Sequence, residues 1–333
     1  MKYVKMMFIT TTMIGTLIAV SSYSWISMWI GLEINLLSLI PLLSDGKNMF
    51  PSESALKYFI TQTLASAILL FSLITLMNLN EMINMNWSTL LVVILNSSIF
   101  TKMGAAPFHA WFPEVLEGLS WTNSVIMLTW QKIAPLVILM YNINMTSFLT
   151  AVVIASSLTG GLMGINQTSL RKILAYSSIN HLGWMMGSML HSQSIWVTYF
   201  LIYSAITTSL VIMFYKLSSF YLKQLFNSMN KNKKMKFFFM MNFLSLGGLP
   251  PFLGFFPKWL TINSMVINKF ITLSVILITT TLITLFFYLR ITFSTLTINS
   301  SEPMLNTPEI NKFNTSLMMF FTICGLALCT MIY

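Results

Sequence analysis

A chain of 333 residues that is 56% hydrophobic and only 8% charged has too little polar surface to form a soluble globule of its size. The composition therefore excludes a water-soluble domain and favours a polytopic membrane protein. The net charge of +10 is explained better by basic residues at helix ends than by a nucleic-acid-binding patch.

Polar breaks divide the chain into apolar segments that are each long enough to cross a bilayer as a helix. We therefore predict an all-α polytopic membrane protein with about eleven transmembrane helices. The first segment starts with lysines but lacks a small-residue cleavage site, so we expect it to be a retained span. The predicted segments are 3–22, 24–43, 54–78, 86–117, 122–141, 147–166, 170–190, 194–222, 236–267, 271–297 and 313–332.

Most basic residues fall at one set of the predicted helix ends, from Lys2 and Lys5 to the run at 231–236. By the positive-inside rule these ends face the inner side of the membrane. An odd number of spans then places Tyr333 on the outer side.

Two segments contain enough glycine and proline to interrupt a helix at membrane depth. Lys102 lies just before the first interruption, at 103–109, and Lys258 lies just after the second, at 246–257. Proline removes backbone hydrogen bonds, and the freed carbonyls are tolerated only where they face protein or a water-filled cavity. Paired interruptions of this kind are typical of transporters with inverted repeats.

The positions of the interruptions predict how the chain is organised. We expect one transmembrane domain, 1–333, with a leading helix, 1–22, and two five-helix repeats, 24–166 and 170–332.

Four ionisable residues lie deep inside apolar segments, namely Glu33, Lys102, Lys132 and Lys258. A charge near the bilayer centre costs at least about 2.5–3.5 kcal/mol and is normally kept for a function. Glu33 lies roughly 15 Å along its helix, too deep to reach either surface, so it must be protonated or paired. Lysine can release its proton when removed from water, whereas arginine cannot. The pattern predicts a proton relay, with static ion pairs as the alternative.

Two histidines are candidate intermediates of the relay because imidazole titrates near neutral pH. His109 lies beside the first interruption and His181 lies within a helix, and each has the alternative of being a core histidine with satisfied hydrogen bonds. Pro135 follows Lys132 by one turn. A kink there would expose carbonyls beside the ammonium group, unless the proline only shapes packing.

Five motifs spread along the chain, from residue 31 to residue 259, carry a resemblance to a known family. They are 31–35 (GLEIN), 102–113 (KMGAAPFHAWFP), 129–135 (TWQKIAP), 166–184 (NQTSLRKILAYSSINHLGW) and 245–259 (SLGGLPPFLGFFPKW). Together they resemble the subunit 2 family of NADH dehydrogenase, an antiporter-like membrane subunit of respiratory complex I. The abundance of Met, Ile, Asn and Phe is similar to that of insect mitochondrial members.

The resemblance implies a proton channel made of two inverted five-helix repeats. In that pattern Glu33 pairs with Lys102, Lys132 is the central relay, and Lys258 leads to the outlet or to the adjacent subunit. The chain would act as a translocase subunit of NADH:ubiquinone oxidoreductase, coupled to electron transfer from NADH to ubiquinone.

The resemblance also implies a location and partners. We expect the mitochondrial inner membrane, with the N-terminus on the matrix side and the C-terminus on the intermembrane-space side. Neighbouring membrane-arm subunits, accessory subunits and phospholipids would surround the chain, and no nucleic acid is expected. FMN, iron–sulfur clusters and ubiquinone would be bound by other subunits, with no cofactor or metal in this chain.

Two other functions are compatible with the residues. A stand-alone or Mrp-like cation/proton antiporter would share the fold and the buried charges, but a sodium site should offer more buried acidic ligands than Glu33 alone. A structural membrane scaffold would use the same charges as static ion pairs.

Overall fold

The computed structural model describes residues 2–44, 48–79, 85–143, 145–229, 233–250 and 252–297. In these ranges the chain forms helices joined by short connections, which confirms the all-α prediction. The helices are α1 (Lys2–Ser21), α2 (Trp25–Leu43), α3 (Met49–Leu79), α4 (Met85–Met103), α5 (Trp111–Gly118), α6 (Trp121–Leu128), α7 (Trp130–Met140), α8 (Thr146–Gly164), α9 (Leu170–Met189), α10 (Gln193–Leu217), α11 (Leu222–Met229), α12 (Lys233–Gly247), α13 (Phe255–Ile267) and α14 (Ile271–Thr297).

Within the described residues the helices follow the predicted segments, except that α11 (Leu222–Met229) lies in the polar break predicted between segments 194–222 and 236–267. Within the described residues, seven helical stretches are long and apolar enough to cross a membrane: α1, α2, α3, α6 with α7, α8, α10 and α14. The predicted segment 313–332 and Tyr333 lie outside the described residues. The count of eleven spans therefore stays a prediction.

Helix α9 shows why hydropathy alone undercounts the buried helices. It carries polar side chains, among them Ser177, Asn180 and His181, yet almost every residue from Leu170 to Met189 is buried. Such a helix is surrounded by other helices rather than by lipid, and these three side chains form hydrogen bonds within the protein.

The chain divides into two compact units, with the boundary between Val152 and Val153 inside α8. We call them the first and the second unit. This division follows packing, whereas the predicted repeats, 24–166 and 170–332, follow an internal symmetry. The repeats therefore stay a prediction.

The first unit contains the first predicted interruption. Helix α4 ends at Met103, and Gly104 adopts the left-handed conformation with φ 72°. The amide of Ala105 donates to the carbonyl of Phe100 at 3.1 Å, and the amide of Gly104 donates to Thr101 at 3.3 Å. These two bonds form the glycine-dependent cap that ends many helices.

The second unit repeats this cap at the second predicted interruption. Helix α12 ends at Gly247, and Gly248 has φ 76°. The amide of Leu249 donates to Leu244 at 3.3 Å, and the amide of Gly248 donates to Ser245 at 3.0 Å. Both interruptions are thus ended by the same hydrogen-bond pattern, and both predictions are confirmed.

The kink considered at Pro135 is not where the helix breaks. Pro135 lies inside α7, and the interruption falls at Thr129, three residues before Lys132. The Thr129 hydroxyl and amide both donate to the carbonyl of Val125, at 2.8 and 3.0 Å. The backbone at Thr129, with φ −115° and ψ −68°, departs from regular helical geometry and separates α6 from α7.

The left-handed cap yields a stability prediction. Gly248→Ala should destabilise the protein, because a left-handed backbone costs an L residue about 1–2 kcal/mol and the new Cβ would lie 2.8 Å from Cδ of Lys258. Gly247→Ala is the matched control, since its Cβ would have ordinary contacts at 3.7 Å. The measurement is the midpoint of thermal unfolding of the detergent-extracted protein. Equal midpoints for the two variants would contradict the role of the cap.

Candidate functional site

Glu33 and Lys102 form an ion pair inside the first unit. Glu33 lies on α2 and Lys102 in the last turn of α4, with Oε1 and Nζ 4.0 Å apart and side chains 21% and 4% exposed. Neither atom has a hydrogen-bond partner among the described residues, since a hydrogen bond needs at most about 3.2 Å. At 4 Å two unit charges still attract by about 4 kcal/mol at an effective dielectric constant of 20. The pair is therefore coupled by charge without being locked by a hydrogen bond.

Lys102 on α4 and Lys132 on α7 line the same cavity. Its volume is about 20 Å³, which is enough for about one water molecule. Polar groups contribute to its wall alongside apolar ones: Asn35, Tyr58, Gln62 and Gln131. Glu33 does not line the cavity, but its carboxylate lies 4.0 Å from the amine of Lys102, which does.

Lys132 is held almost completely inside the protein, at 1% exposure. Its Nζ lies 5.5 Å from the ring centroid of Phe112 on α5, a geometry in which the ring face attracts a cation. The interruption at Thr129 places Lys132 in the first turn of α7. Nζ of Lys132 thus faces the helix that follows the first interruption.

A pair of amide side chains, with Asn35 buried and Gln131 half-buried, connects the helices that carry Glu33 and Lys132. Asn35 Nδ2 donates to Gln131 Oε1 at 3.0 Å, and Gln131 Nε2 donates to Asn35 Oδ1 at 2.9 Å. Sequence reasoning missed this pair because it weighed charges only. The cost of burying an unpaired amide in an apolar segment would have marked both residues.

Lys258 lies in the second unit, on the first turn of α13. Its Nζ donates to the carbonyl of Gly247 at 2.9 Å and lies 5.8 Å from the Trp184 ring centroid. The carbonyl belongs to the last residue of α12, where the helix leaves carbonyls without intrahelical partners. Lys258 therefore caps the first half of its own interrupted helix, as basic side chains do at helix C-termini.

His181 lies on α9 in the second unit and is 6% exposed. Its Nδ1 is 2.9 Å from the hydroxyl of Tyr199 on α10. Both residues border a cavity of about 10 Å³, which also touches Ser245 and Pro257 at the second interruption. Tyr199 was not among the candidates from the sequence, because a tyrosine in an apolar segment is not energetically unusual in the way that a charge is. Only the structure shows that its hydroxyl bonds to His181.

His109 lies in the connection that follows the first interruption. It lies half-buried in the connection between α4 and α5, with Nδ1 3.3 Å from the carbonyl of Pro107. It does not line the cavity shared by Lys102 and Lys132. Its role as an intermediate stays a prediction.

The candidates thus fall into two groups. Glu33, Lys102 and Lys132 belong to the first unit, and Lys258 and His181 belong to the second. A continuous path from Lys132 to Lys258 stays a prediction.

The two interruptions also share a sequence motif that direct reading of the chain overlooked. Aligning the two left-handed glycines brings identical residues into register over the next dozen positions. The matching pairs are Gly104 with Gly248, Pro107 with Pro251, Phe108 with Phe252, Phe112 with Phe256, Pro113 with Pro257 and Leu116 with Leu260. Only the structural equivalence of the caps makes this register evident.

Comparisons with known proteins agree on one family. The family model described as NADH:quinone oxidoreductase/Mrp antiporter, transmembrane, matches residues 22–284. The NADH-ubiquinone oxidoreductase chain 2 of Anopheles gambiae is 46% identical over 98% of this chain and 97% of its own length. That of Aedes aegypti is 48% identical over 96% and 95%.

Solved structures share the fold. A chain of respiratory complex I from Thermus thermophilus, with bound Aureothin, matches 98% of this chain and 78% of its own length, with a TM-score of 0.87 and 24% identity. A chain of the Mrp complex from Dietzia matches 90% and 62%, with a TM-score of 0.77 and 16% identity.

The amide pair yields a prediction that a double-mutant cycle can test. Gln131→Leu should lower the free energy of unfolding by about 1–3 kcal/mol, because the buried Asn35 amide loses its partner. The double variant Asn35→Leu with Gln131→Leu should recover part of that loss, since no unpaired amide remains. The measurement is thermal or denaturant unfolding of the purified protein. Strictly additive losses would show that the two amides do not act as a pair.

Proposed function

The chain belongs to the family of NADH-ubiquinone oxidoreductase chain 2, and we propose that it relays protons across the membrane as a subunit of that oxidoreductase. The observation that carries the proposal is the small polar cavity shared by Lys102 and Lys132 inside a bundle of apolar helices. Two buried amines on one water-sized cavity are arranged for proton transfer through a single intervening water molecule.

The first step of the relay depends on Glu33. Its carboxylate, 4.0 Å from Nζ of Lys102, stabilises the charged form of that lysine. Two ammonium groups on one small cavity repel each other, so one charge is favoured over two. A movement that separates Glu33 from Lys102 would release the proton from Lys102 through the cavity to the neutral amine of Lys132.

Lys258 is suited to receive and release a proton without losing its position. Its Nζ donates one hydrogen to the carbonyl of Gly247. An amine can donate that hydrogen in both its charged and its neutral form. Proton gain or loss therefore leaves the cap of α12 in place, and Lys258 passes the proton to the outlet or to a neighbouring subunit.

The energy for this movement comes from elsewhere in the assembly. We propose that FMN, iron–sulfur clusters and ubiquinone are bound by other subunits, and that neighbouring membrane-arm and accessory subunits and phospholipids surround this chain. In the mitochondrial inner membrane its N-terminus would face the matrix and its C-terminus the intermembrane space. The shared cap and motif support two inverted repeats as the framework of the channel.

A cation/proton antiporter of the Mrp type is the second candidate. No carboxylate lines the cavity shared by Lys102 and Lys132 or the cavity beside His181 and Tyr199, and hard cations such as sodium prefer several oxygen ligands, carboxylates in particular. The lining therefore favours protons as the transported ion.

Lys132→Met tests the relay against a static scaffold. We expect the rate of NADH-driven proton pumping by the assembled complex to fall about tenfold or more, because a proton carrier is replaced by a side chain that cannot titrate. The amount of assembled complex should be unchanged. Lys223→Met, at an exposed lysine of α11, is the control for loss of a positive charge. Intact pumping with impaired assembly in Lys132→Met would favour the scaffold.

Replacement of sodium separates the proton relay from an antiporter. With choline in place of sodium, NADH-driven proton pumping in sealed vesicles should proceed at the same rate, because no sodium site is required. The measurement is the pH change inside the vesicles with a pH-sensitive dye. A requirement for sodium, or sodium flux in the absence of NADH, would rule against the relay.

A further inference from the structure

The two amide side chains that join α2 to α7 also belong to the wall of the cavity in the first unit. Asn35 and Gln131 line the same cavity of about 20 Å³ as Lys102 and Lys132. Asn35 is 3% exposed, and its amide exchanges hydrogen bonds of 3.0 and 2.9 Å with the amide of Gln131. The amide pair is therefore part of the surface that both amines share.

The pairing uses half of the hydrogen-bonding capacity of each amide. A carboxamide has two N–H donors and two oxygen lone pairs, and the reciprocal bonds engage one donor and the oxygen of each side chain. One N–H and one lone pair thus remain on Asn35, and the same two remain on Gln131, for a water molecule in the cavity. Because the reciprocal bonds fix the planes of both amides, these remaining groups have defined directions.

A water molecule that carries a proton between two amines has to be held in one orientation. The proton passes from Nζ of Lys102 to the water oxygen, while a hydrogen of the same water passes to Nζ of Lys132. The charge moves from one amine to the other, and the water is regenerated. The two amines take up only two of the two to four hydrogen bonds that a buried water makes. Amide groups on the wall can supply the others, and correct orientation lowers the barrier to the transfer.

Amides suit this task because they do not titrate. A carboxylate in their place would attract an ammonium group and hold the proton on it, whereas a carboxamide binds water without changing its own charge. Gln131 also immediately precedes Lys132 in the first turn of α7. The bonds to Asn35 therefore hold the turn that carries Lys132 against α2.

We propose that Asn35 and Gln131 are positioning residues of the proton transfer between Lys102 and Lys132, and that they orient the transferring water molecule through the amide groups not used in their pairing. The inference deepens the proposed function and rests on it. It assigns a role in transport to two uncharged side chains, in addition to their contribution to stability.

The test compares stability with pumping in the same variants of the intact complex. Asn35→Leu with Gln131→Leu removes both amides, and its midpoint of thermal unfolding should recover part of the loss seen in Gln131→Leu. The rate of NADH-driven proton pumping in sealed vesicles should nevertheless stay about tenfold or more below that of the unsubstituted complex, because nothing orients the water. Pumping that recovers together with stability would show a purely structural role and overturn the proposal.

A solvent isotope effect identifies the step that is slowed. The ratio of the pumping rates in H2O and D2O should be larger in the double leucine variant than in the unsubstituted complex, because proton transfer then limits the rate. An unchanged ratio would overturn the proposal, since a structural defect slows pumping without making this transfer limiting.

Gln131→Glu covers the case in which the leucine variants do not assemble. It keeps the shape of the side chain and an oxygen that can accept from Asn35. We expect several-fold slower pumping, because the carboxylate holds an ammonium group at the cavity. Normal pumping by this variant would overturn the proposal.

A second amide pair of the first unit is the matched control. Nδ2 of Asn142 donates to Oδ1 of Asn96 at 3.0 Å, and both residues are buried. Neither lines the cavity. Asn96→Leu with Asn142→Leu should therefore leave the pumping rate and the isotope ratio unchanged. A loss of pumping as large as in the cavity pair would mean that amide pairs matter only for packing, and it would overturn the proposal.

The outcome is separable from that of the proposed function. Normal pumping by the double leucine variant of Asn35 and Gln131, together with lost pumping by Lys132→Met, would overturn the role of the amide pair and leave the relay standing. Normal pumping by Lys132→Met would overturn the proposed function itself.

Discussion

Inside a membrane, a charge or a carbonyl group needs a partner within the protein, because no water is available to take that partner's place. Two interrupted helices place such groups at membrane depth in this chain, and the surrounding helices supply their partners. In the first unit the indole of Trp111 donates to the carbonyl of Thr101 at 3.0 Å, and Glu33 lies 4.0 Å from Lys102. In the second unit Lys258 itself donates to Gly247. A charged or hydrogen-bonding partner thus compensates each of these groups within the protein.

The two lysines nearest the interruptions are stabilised in different ways, and the difference has a chemical consequence. Lys102 depends on a charged partner, so its protonation responds to the position of Glu33. Lys258 depends on a neutral carbonyl, so its anchoring is independent of its protonation. We propose that the first arrangement responds to events in neighbouring subunits and that the second passes a proton on.

The equivalence of the two interruptions shows how a structure can reveal a weak repeat in the sequence. Glycine, proline and phenylalanine recur at equal spacing after Gly104 and Gly248, but among many apolar residues this recurrence is inconspicuous. The left-handed backbone at both glycines, with φ of 72° and 76°, supplies the register. After that alignment Glu114, which pairs with Lys57 at 3.0 Å, occupies the position of Lys258. The two motifs thus share the left-handed glycine cap, whereas the charged residue at the aligned position changes sign.

Composition and residue order by themselves determined that the chain is an all-α membrane protein, where its two glycine- and proline-rich interruptions fall, and which charges are too deep to be accidental. These features depend on local backbone chemistry and on the cost of burying a charge, and both can be read along one segment. Only the tertiary structure decided that the helix carrying Lys132 is interrupted at Thr129 rather than at Pro135. It also decided three pairings: Lys102 and Lys132 line one cavity, Asn35 bonds to Gln131, and His181 bonds to Tyr199. The three pairings depend on which distant helix is the neighbour, and the Thr129 break depends on backbone geometry that spacing does not show.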